Sequence, residues 1–171
     1  MRIFPYAMAK STYEIDFEYL RVKGYRGLIF DIDNTLVEHN EPATDRARAL
    51  FKRLSDTGFK TSVVSNNKEP RVRLFADDVG CLYVYKAGKP KASGYIKAME
   101  LMRTDRADTL VIGDQLFTDI WGANNTGLKS IMVGKVAFHE ETHIYFKRVA
   151  EVIILAVYII THRKRSVGEL L

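Results

Sequence analysis

The sequence predicts an α/β fold, a doubly wound sandwich built on a central parallel sheet. Two observations carry this. Strand-like and helix-like segments alternate along the chain. The strand-like segments are short, rich in Val, Ile and Leu, and lack polar alternation, as expected when helices cover both faces. The 171 residues suit a single domain, 1–171. At that length roughly 70% of the unfolded surface can be buried. A (β/α) barrel needs more units than the chain supplies.

The elements follow in order. GLIFDI (27–32) is an apolar strand. TDRARALFKRLSDTG (44–58) is a helix with Thr44 as N-cap and Gly58 as stop. KTSVVS (60–65) is the second strand, and EPRVRLFADDVG (69–80) a helix with Pro70 in its first turn and Gly80 at its end. CLYVY (81–85) is the third strand, followed by a helix over 89–104 that begins beside a proline. TLVIG (109–113), a shorter helix over 117–127 and KSIMV (129–133) complete the alternation. From about 145 the chain reads as a long apolar helix, followed by the basic tail Arg163-Lys164-Arg165.

Composition narrows the function. Hydrophobic residues make up 47% and charged residues 27%, as in a soluble globular protein. The single cysteine, Cys81, excludes an intramolecular disulfide and points to a reducing cytoplasm; its apolar run places it in the core. The net charge of +5 favours acidic partners such as phosphate esters, anionic lipid or nucleic acid. The aromatics are scattered and form no array for stacking single strands, so nucleic acid is disfavoured. The N-terminal MRIFPYAMAK lacks the apolar stretch of a signal peptide. The longest uncharged apolar run, Val152 to Ile160, is far short of the ~20 residues a membrane helix needs. His139 and His143 are spaced for zinc on a helix but lack a third ligand.

Ligands of open α/β sheets sit beyond the carboxyl ends of the strands. There the first strand ends in Asp31 and Asp33, the second in Ser65-Asn66-Asn67, and the fourth in Gly113-Asp114 with Asp119 beyond. The loop after the third strand carries Lys89-Pro90. Crowded carboxylates repel unless a cation neutralises them, and Mg²⁺ takes one or two carboxylates together with phosphate and water. Asp31 and Asp114 are the natural pair. Lys89 adds a positive charge, and the Ser65 hydroxyl with the amides after it can donate to phosphate oxygens. Asp31 can attack phosphorus, while Asp33 protonates the leaving alcohol and then deprotonates water. Asn66 and Asn67 read equally as turn formers or substrate contacts, and Asp119 as a direct ligand or a helix cap.

DIDNTLV, VVSNN, KAGKP and GDQLFTD resemble, in order, the four motifs of the haloacid dehalogenase (HAD) superfamily. The resemblance implies a three-layer Rossmann-like core, a Mg²⁺ cofactor, and an aspartyl-phosphate on Asp31. It also implies a backbone carbonyl from Asp33 to the metal. Thr35 fits the first motif and is expected to contact substrate. Ser65, Lys89, and Asp114 with Asp119 fit the other three; Lys91 competes with Lys89, and the Lys-Pro dipeptide favours Lys89. An acid at Asp33 argues for phosphate-ester hydrolysis rather than carbon–halogen cleavage.

Neither insertion point used for a cap domain has room here, so no cap is expected and the site should admit a large substrate. Over residues 4 to 151 the chain further resembles the YqeG family of HAD subfamily IIIA, related to mitochondrial phosphatidylglycerophosphate phosphatases. That implies conversion of phosphatidylglycerophosphate to phosphatidylglycerol. The same chemistry on a sugar phosphate or nucleic-acid end is the alternative, followed by a non-catalytic phosphate-binding module. The C-terminal apolar segment and basic tail suit either a core-covering helix or an anionic membrane surface, and FPYAMAK (4–10) is a second candidate contact.

Overall fold

The computed structural model describes residues 3–136, and the statements below concern those residues. Strands β1 (Ala7–Ala9), β2 (Gly27–Phe30), β3 (Lys60–Val64), β4 (Leu82–Val84), β5 (Thr109–Gly113) and β6 (Lys129–Val133) form one sheet. The order is β1-β6-β5-β2-β3-β4, and every pairing is parallel. Helices α1 (Phe17–Val22), α2 (Asp45–Asp56), α3 (Glu69–Val79), α4 (Ser93–Met102) and α5 (Trp121–Thr126) cover it.

Alternate strand residues feed two apolar layers. Leu28, Phe30, Val63, Leu110 and Ile112 pack with Phe17, Leu20, Phe51, Leu54, Val72 and Phe75 from α1, α2 and α3. Ile29, Val64 and Val111 face the other way, onto Tyr95, Ala98 and Met102 of α4 and Ala123 of α5. Both faces are therefore apolar, which is why the strands carry no polar alternation. Phe30 links its layer: its ring centroid lies 5.3 Å from Phe51 and 6.2 Å from Phe17. Truncating such a residue to alanine costs about 3–5 kcal/mol.

β2 lies between β5 and β3, so the chain leaves it toward β3 on one side and returns to β5 on the other. This reversal opens a crevice at the carboxyl ends of β2, β3 and β5, the usual binding position in such sheets. No cap closes it among the described residues: Val37 to Lys60 holds a loop and α2, and Ser65 to Lys89 holds α3 and β4.

Several boundaries differ from the sequence reading. β2, β3 and β4 are shorter than expected because their last residues turn into loops, and β4 also starts one residue later, after Cys81. The helix expected from 89 starts at Ser93, since residues 86–92 form a loop. The helix expected over 117–127 is a π-helical turn (Leu116–Ile120) running into α5. β1, a 3₁₀ turn (Thr12–Glu14) and α1 were not expected at all. FPYAMAK, read as a membrane contact, contains this edge strand, with Ala7 fully buried. Gly80 ends α3 in the left-handed region (φ 71°), as its position suggests. The half-buried Cys81 packs against the core beyond it, and burial pushes its thiol up to about 12. The C-terminal segment from about 145, the basic tail, His139 and His143 lie outside the described residues. No helix among the described residues is long and apolar enough to cross a membrane.

Candidate active site

Asp31 continues the pairing of β2 by one bond, donating its N–H to the Ile112 carbonyl at 3.0 Å. The chain then folds into a tight loop. The Ile32 carbonyl accepts from the amides of Thr35, Leu36 and Val37, and Asn34 adopts a left-handed conformation (φ 63°). Ile32 is buried in the core between two acids that are 8% and 7% exposed. Asparagine tolerates that backbone better than a branched residue. The loop is strapped from behind. Thr12 Oγ1 donates to the Thr35 carbonyl at 2.9 Å, and Tyr13 Oη donates to the Leu36 carbonyl at 2.6 Å.

The loops bring three carboxylates together. Asp31, Asp114 and Asp119 each present an oxygen, all within 4.8 Å of one another. Lys89 Nζ bridges two of them, 2.6 Å from Asp31 Oδ1 and 2.6 Å from Asp119 Oδ1. Lys91 is exposed, so Lys89 is the lysine that reaches the cluster. Asp119 Oδ2 accepts from the Gln115 amide at 3.1 Å. It comes so close to Gly113 that any side chain there would collide with it. Asp114 Oδ1 accepts from Thr35 Oγ1 at 3.1 Å, while Asp114 Oδ2 is buried without a hydrogen-bond partner.

The electrostatics follow from this crowding. Burial pushes Asp31 up to about 7, with Asp119 adding to the rise and Lys89 opposing it. Burial, then Asp119 and Asp31, pushes Asp114 up to about 8. Burial works against the Lys89 ammonium, but the carboxylates of Asp119 and Asp31 outweigh it and hold the lysine above its ordinary value. One lysine cannot neutralise three buried acids. The cluster, with an unpartnered oxygen on Asp114, fits a hard cation with oxygen ligands.

The polar residues after β3 line the cleft and also bond within the protein. Ser65 Oγ accepts from the Asn67 amide at 3.1 Å. Asn66 pairs with the backbone of Lys89: its Oδ1 accepts from the Lys89 N–H at 2.8 Å, and its Nδ2 donates to the Lys89 carbonyl at 3.2 Å. Asn67 Nδ2 donates to Asp33 Oδ2 at 2.6 Å. Thr35 is 1% exposed and serves Asp114. The Asp33 carboxylate is not part of the three-acid group.

Asp31, Asp33, Ser65, Asn66, Asn67 and Lys89 line a cleft of about 170 Å³, joined by His39, Gln115 and Thr118. A larger cleft of about 280 Å³ lies beside Tyr13 and Arg46, but no carboxylate lines it. The sequence reading missed Arg71, whose Nη2 donates to Asp33 Oδ1 at 3.2 Å, and the Asn40 amide, which donates to the same oxygen at 2.9 Å. Arg71 stands four residues after Asn67, but Asn67 precedes α3, so no helical spacing marks it. It also missed Thr12 and Tyr13, for which no local signal exists.

The chain is similar to known proteins. The HAD-hydrolase-like family model matches residues 86–153. The chain is 39% identical over 153 residues to Probable phosphatase YqeG of Bacillus subtilis, covering 89% of each. It belongs to the YqeG family of HAD-type phosphatases. A weaker relative of this YqeG-family chain is Phosphatidylglycerophosphate phosphatase 1, chloroplastic/mitochondrial, of Arabidopsis thaliana. The two are 23% identical over 158 residues, 83% of this chain and 44% of the plant protein. Among solved structures, a HAD phosphatase from Thermococcus onnurineus superposes with a TM-score of 0.53 at 15% identity, over 68% of this chain and 90% of that one. A Legionella pneumophila protein described as a HAD superfamily (subfamily III A) hydrolase gives 0.52 at 17% identity, over 67% and 69%. These two support the fold.

Proposed function

We propose that this phosphatase hydrolyses phosphatidylglycerophosphate to phosphatidylglycerol through an aspartyl-phosphate on Asp31. The observation that carries the chemistry is the Lys89 bridge between Asp31 and Asp119. It holds an attacking carboxylate in a fixed orientation, beside positive charge for the arriving phosphate. Asp31, Asp114 and Asp119 are the side chains to hold Mg²⁺, with the Asp33 carbonyl implied by the family resemblance; the ion supplies charge neutralisation at the phosphate. Ser65 and Lys89 meet the phosphoryl oxygens. Asp33 gives a proton to the leaving alcohol and later takes one from water. Thr35 and Asn66 act through Asp114 and Lys89, and Asn67 acts through Asp33.

The substrate rests on the plant relative, on the uncapped cleft, and on the net charge of +5, which suits an anionic membrane surface. We place the enzyme in the cytoplasm, working peripherally on that surface. The test is phosphate release from phosphatidylglycerophosphate in mixed micelles, with and without Mg²⁺, against a soluble sugar phosphate. Lipid turnover that needs Mg²⁺ and disappears in Asp31→Asn is expected. Faster turnover of the sugar phosphate would reassign the substrate, and full activity in Asp31→Asn would reassign the nucleophile.

A further inference from the structure

Asp33 meets three donors. Its Oδ1 accepts from the Asn40 amide and from Arg71 Nη2, and its Oδ2 from Asn67 Nδ2. Arg71 is unlike its helix neighbour Arg73, whose side chain is 63% exposed and pairs along the helix with Asp77. The Arg71 side chain is only 18% exposed, and its Nε is buried without a partner. Its Nη2 also donates to the Glu41 carbonyl at 2.6 Å, tying α3 to the loop after the first acidic pair. Leaving a buried guanidinium N–H unsatisfied costs free energy. A solvated helix-face arginine carries no such cost, so the position of Arg71 calls for a reason beyond solubility.

We infer that Arg71 is a positioning residue for Asp33. The terminal torsion of a carboxylate is soft, so neighbours decide where its oxygens point. Proton transfer needs an oxygen within ~2.6–3.2 Å of its partner. Donors on both oxygens pin the carboxylate, and Arg71 anchors that grip to α3 and to Glu41. The inference rests on the reading of Asp33 as proton carrier. In the first step an Asp31 oxygen bonds to phosphorus, the bond from phosphorus to the alcohol oxygen breaks, and the Asp33 carboxyl gives that oxygen its proton. In the second, water bonds to phosphorus, the bond from phosphorus to the Asp31 oxygen breaks to return the carboxylate, and the Asp33 carboxylate takes the water proton.

An alkoxide needs that proton to leave, whereas 4-nitrophenolate leaves without it. The contribution of Arg71 therefore appears as a ratio. With enzyme in excess, alcohol release in the first turnover is measured for glycerol 3-phosphate and for 4-nitrophenyl phosphate. In Arg71→Met the alkyl-to-aryl ratio is expected to fall about ten-fold or more. An unchanged ratio, with both rates falling together, would mean a purely structural arginine and overturn the inference. If circular dichroism shows Arg71→Met unfolded, Arg71→Lys is read instead: a fall of about three-fold or more supports the inference and an unchanged ratio overturns it. Asp33→Asn separates the two levels. If it leaves the ratio intact, the proton-carrier reading fails; if it collapses the ratio and Arg71→Met does not, only the role of Arg71 fails.

Discussion

The Asn66 side chain holds both backbone polar groups of Lys89, accepting from its N–H at 2.8 Å and donating to its carbonyl at 3.2 Å. A side-chain amide offers a donor and an acceptor on one planar group. The pairing joins the loop after β3 to the loop after β4, and it fixes the root of the lysine whose tip spans Asp31 and Asp119.

Asn66→Ala should therefore lower turnover about ten-fold while costing only about 1 kcal/mol of stability, since its bonds are exposed. Asn66→Asp, which sets an acceptor against the Lys89 carbonyl, should be worse. Steady-state kinetics beside urea unfolding separates the effects; a stability loss that accounts for the whole activity loss would contradict this role.

The acid cluster predicts an unusual pH dependence of the metal-free protein. Burial holds Asp31 at about 7 and Asp114 at about 8, whereas unfolded carboxyls ionise near ~4. Between those limits the folded state binds more protons than the unfolded one. This contribution is fully present below about pH 4 and is lost as pH rises through about 7 to 8. In chelator, the melting temperature should be lower at about pH 8.5 than at about pH 6. Added Mg²⁺ should narrow the difference by replacing protons; a gap indifferent to Mg²⁺ in differential scanning fluorimetry would argue against a cation at the cluster.

Gly113→Ala tests the close packing beneath the site. A Cβ there would stand 2.5 Å from the Cβ of Asp119, too near its backbone to be relieved by a rotamer change. The expected cost is about 1–3 kcal/mol, with a loss of activity larger than the loss of stability. Wild-type turnover in this variant would mean that Asp119 can move freely.

The strap behind the acidic loop is a fourth target. Thr12→Val leaves the buried Thr35 carbonyl without its donor and should cost about 1–3 kcal/mol, whereas Thr12→Ser should cost less than half of that. Tyr13→Phe removes the bond to Leu36 and should cost about 1 kcal/mol. Chemical denaturation checks all three; equal stabilities would show that the strap is dispensable.

The sequence made the carboxyl ends of β2, β3 and β5 legible because buried apolar runs deliver the chain straight to chemically distinctive residues such as Asp31, Ser65 and Asp114. It did not reveal where amide and hydroxyl side chains point. Asn66, Asn67 and Thr35 each bond to a residue more than twenty positions away, and such directions are set by loops crossing in space. Arg71 lies on a charged helix and looks like an ordinary solvated residue until the Glu41 loop covers it. β1 and α1 escaped detection for a different reason. A three-residue Ala-Met-Ala strand and a six-residue helix are too short for periodicity to register, although the Asp16 cap of α1, which accepts from the Tyr19 amide at 2.8 Å, was there to be noticed.

The parallel pairing of β1 with β6 sets Ala7 opposite Ile131. On the ribosome, β1 must therefore wait, unpaired with β6, until that much later strand emerges. Thr12 and Tyr13 belong to that waiting segment. The loop bearing the acids thus gains its full rear support only once β6 has been made, and a nascent chain halted before β6 would carry the reactive residues without the edge pairing that seats their brace.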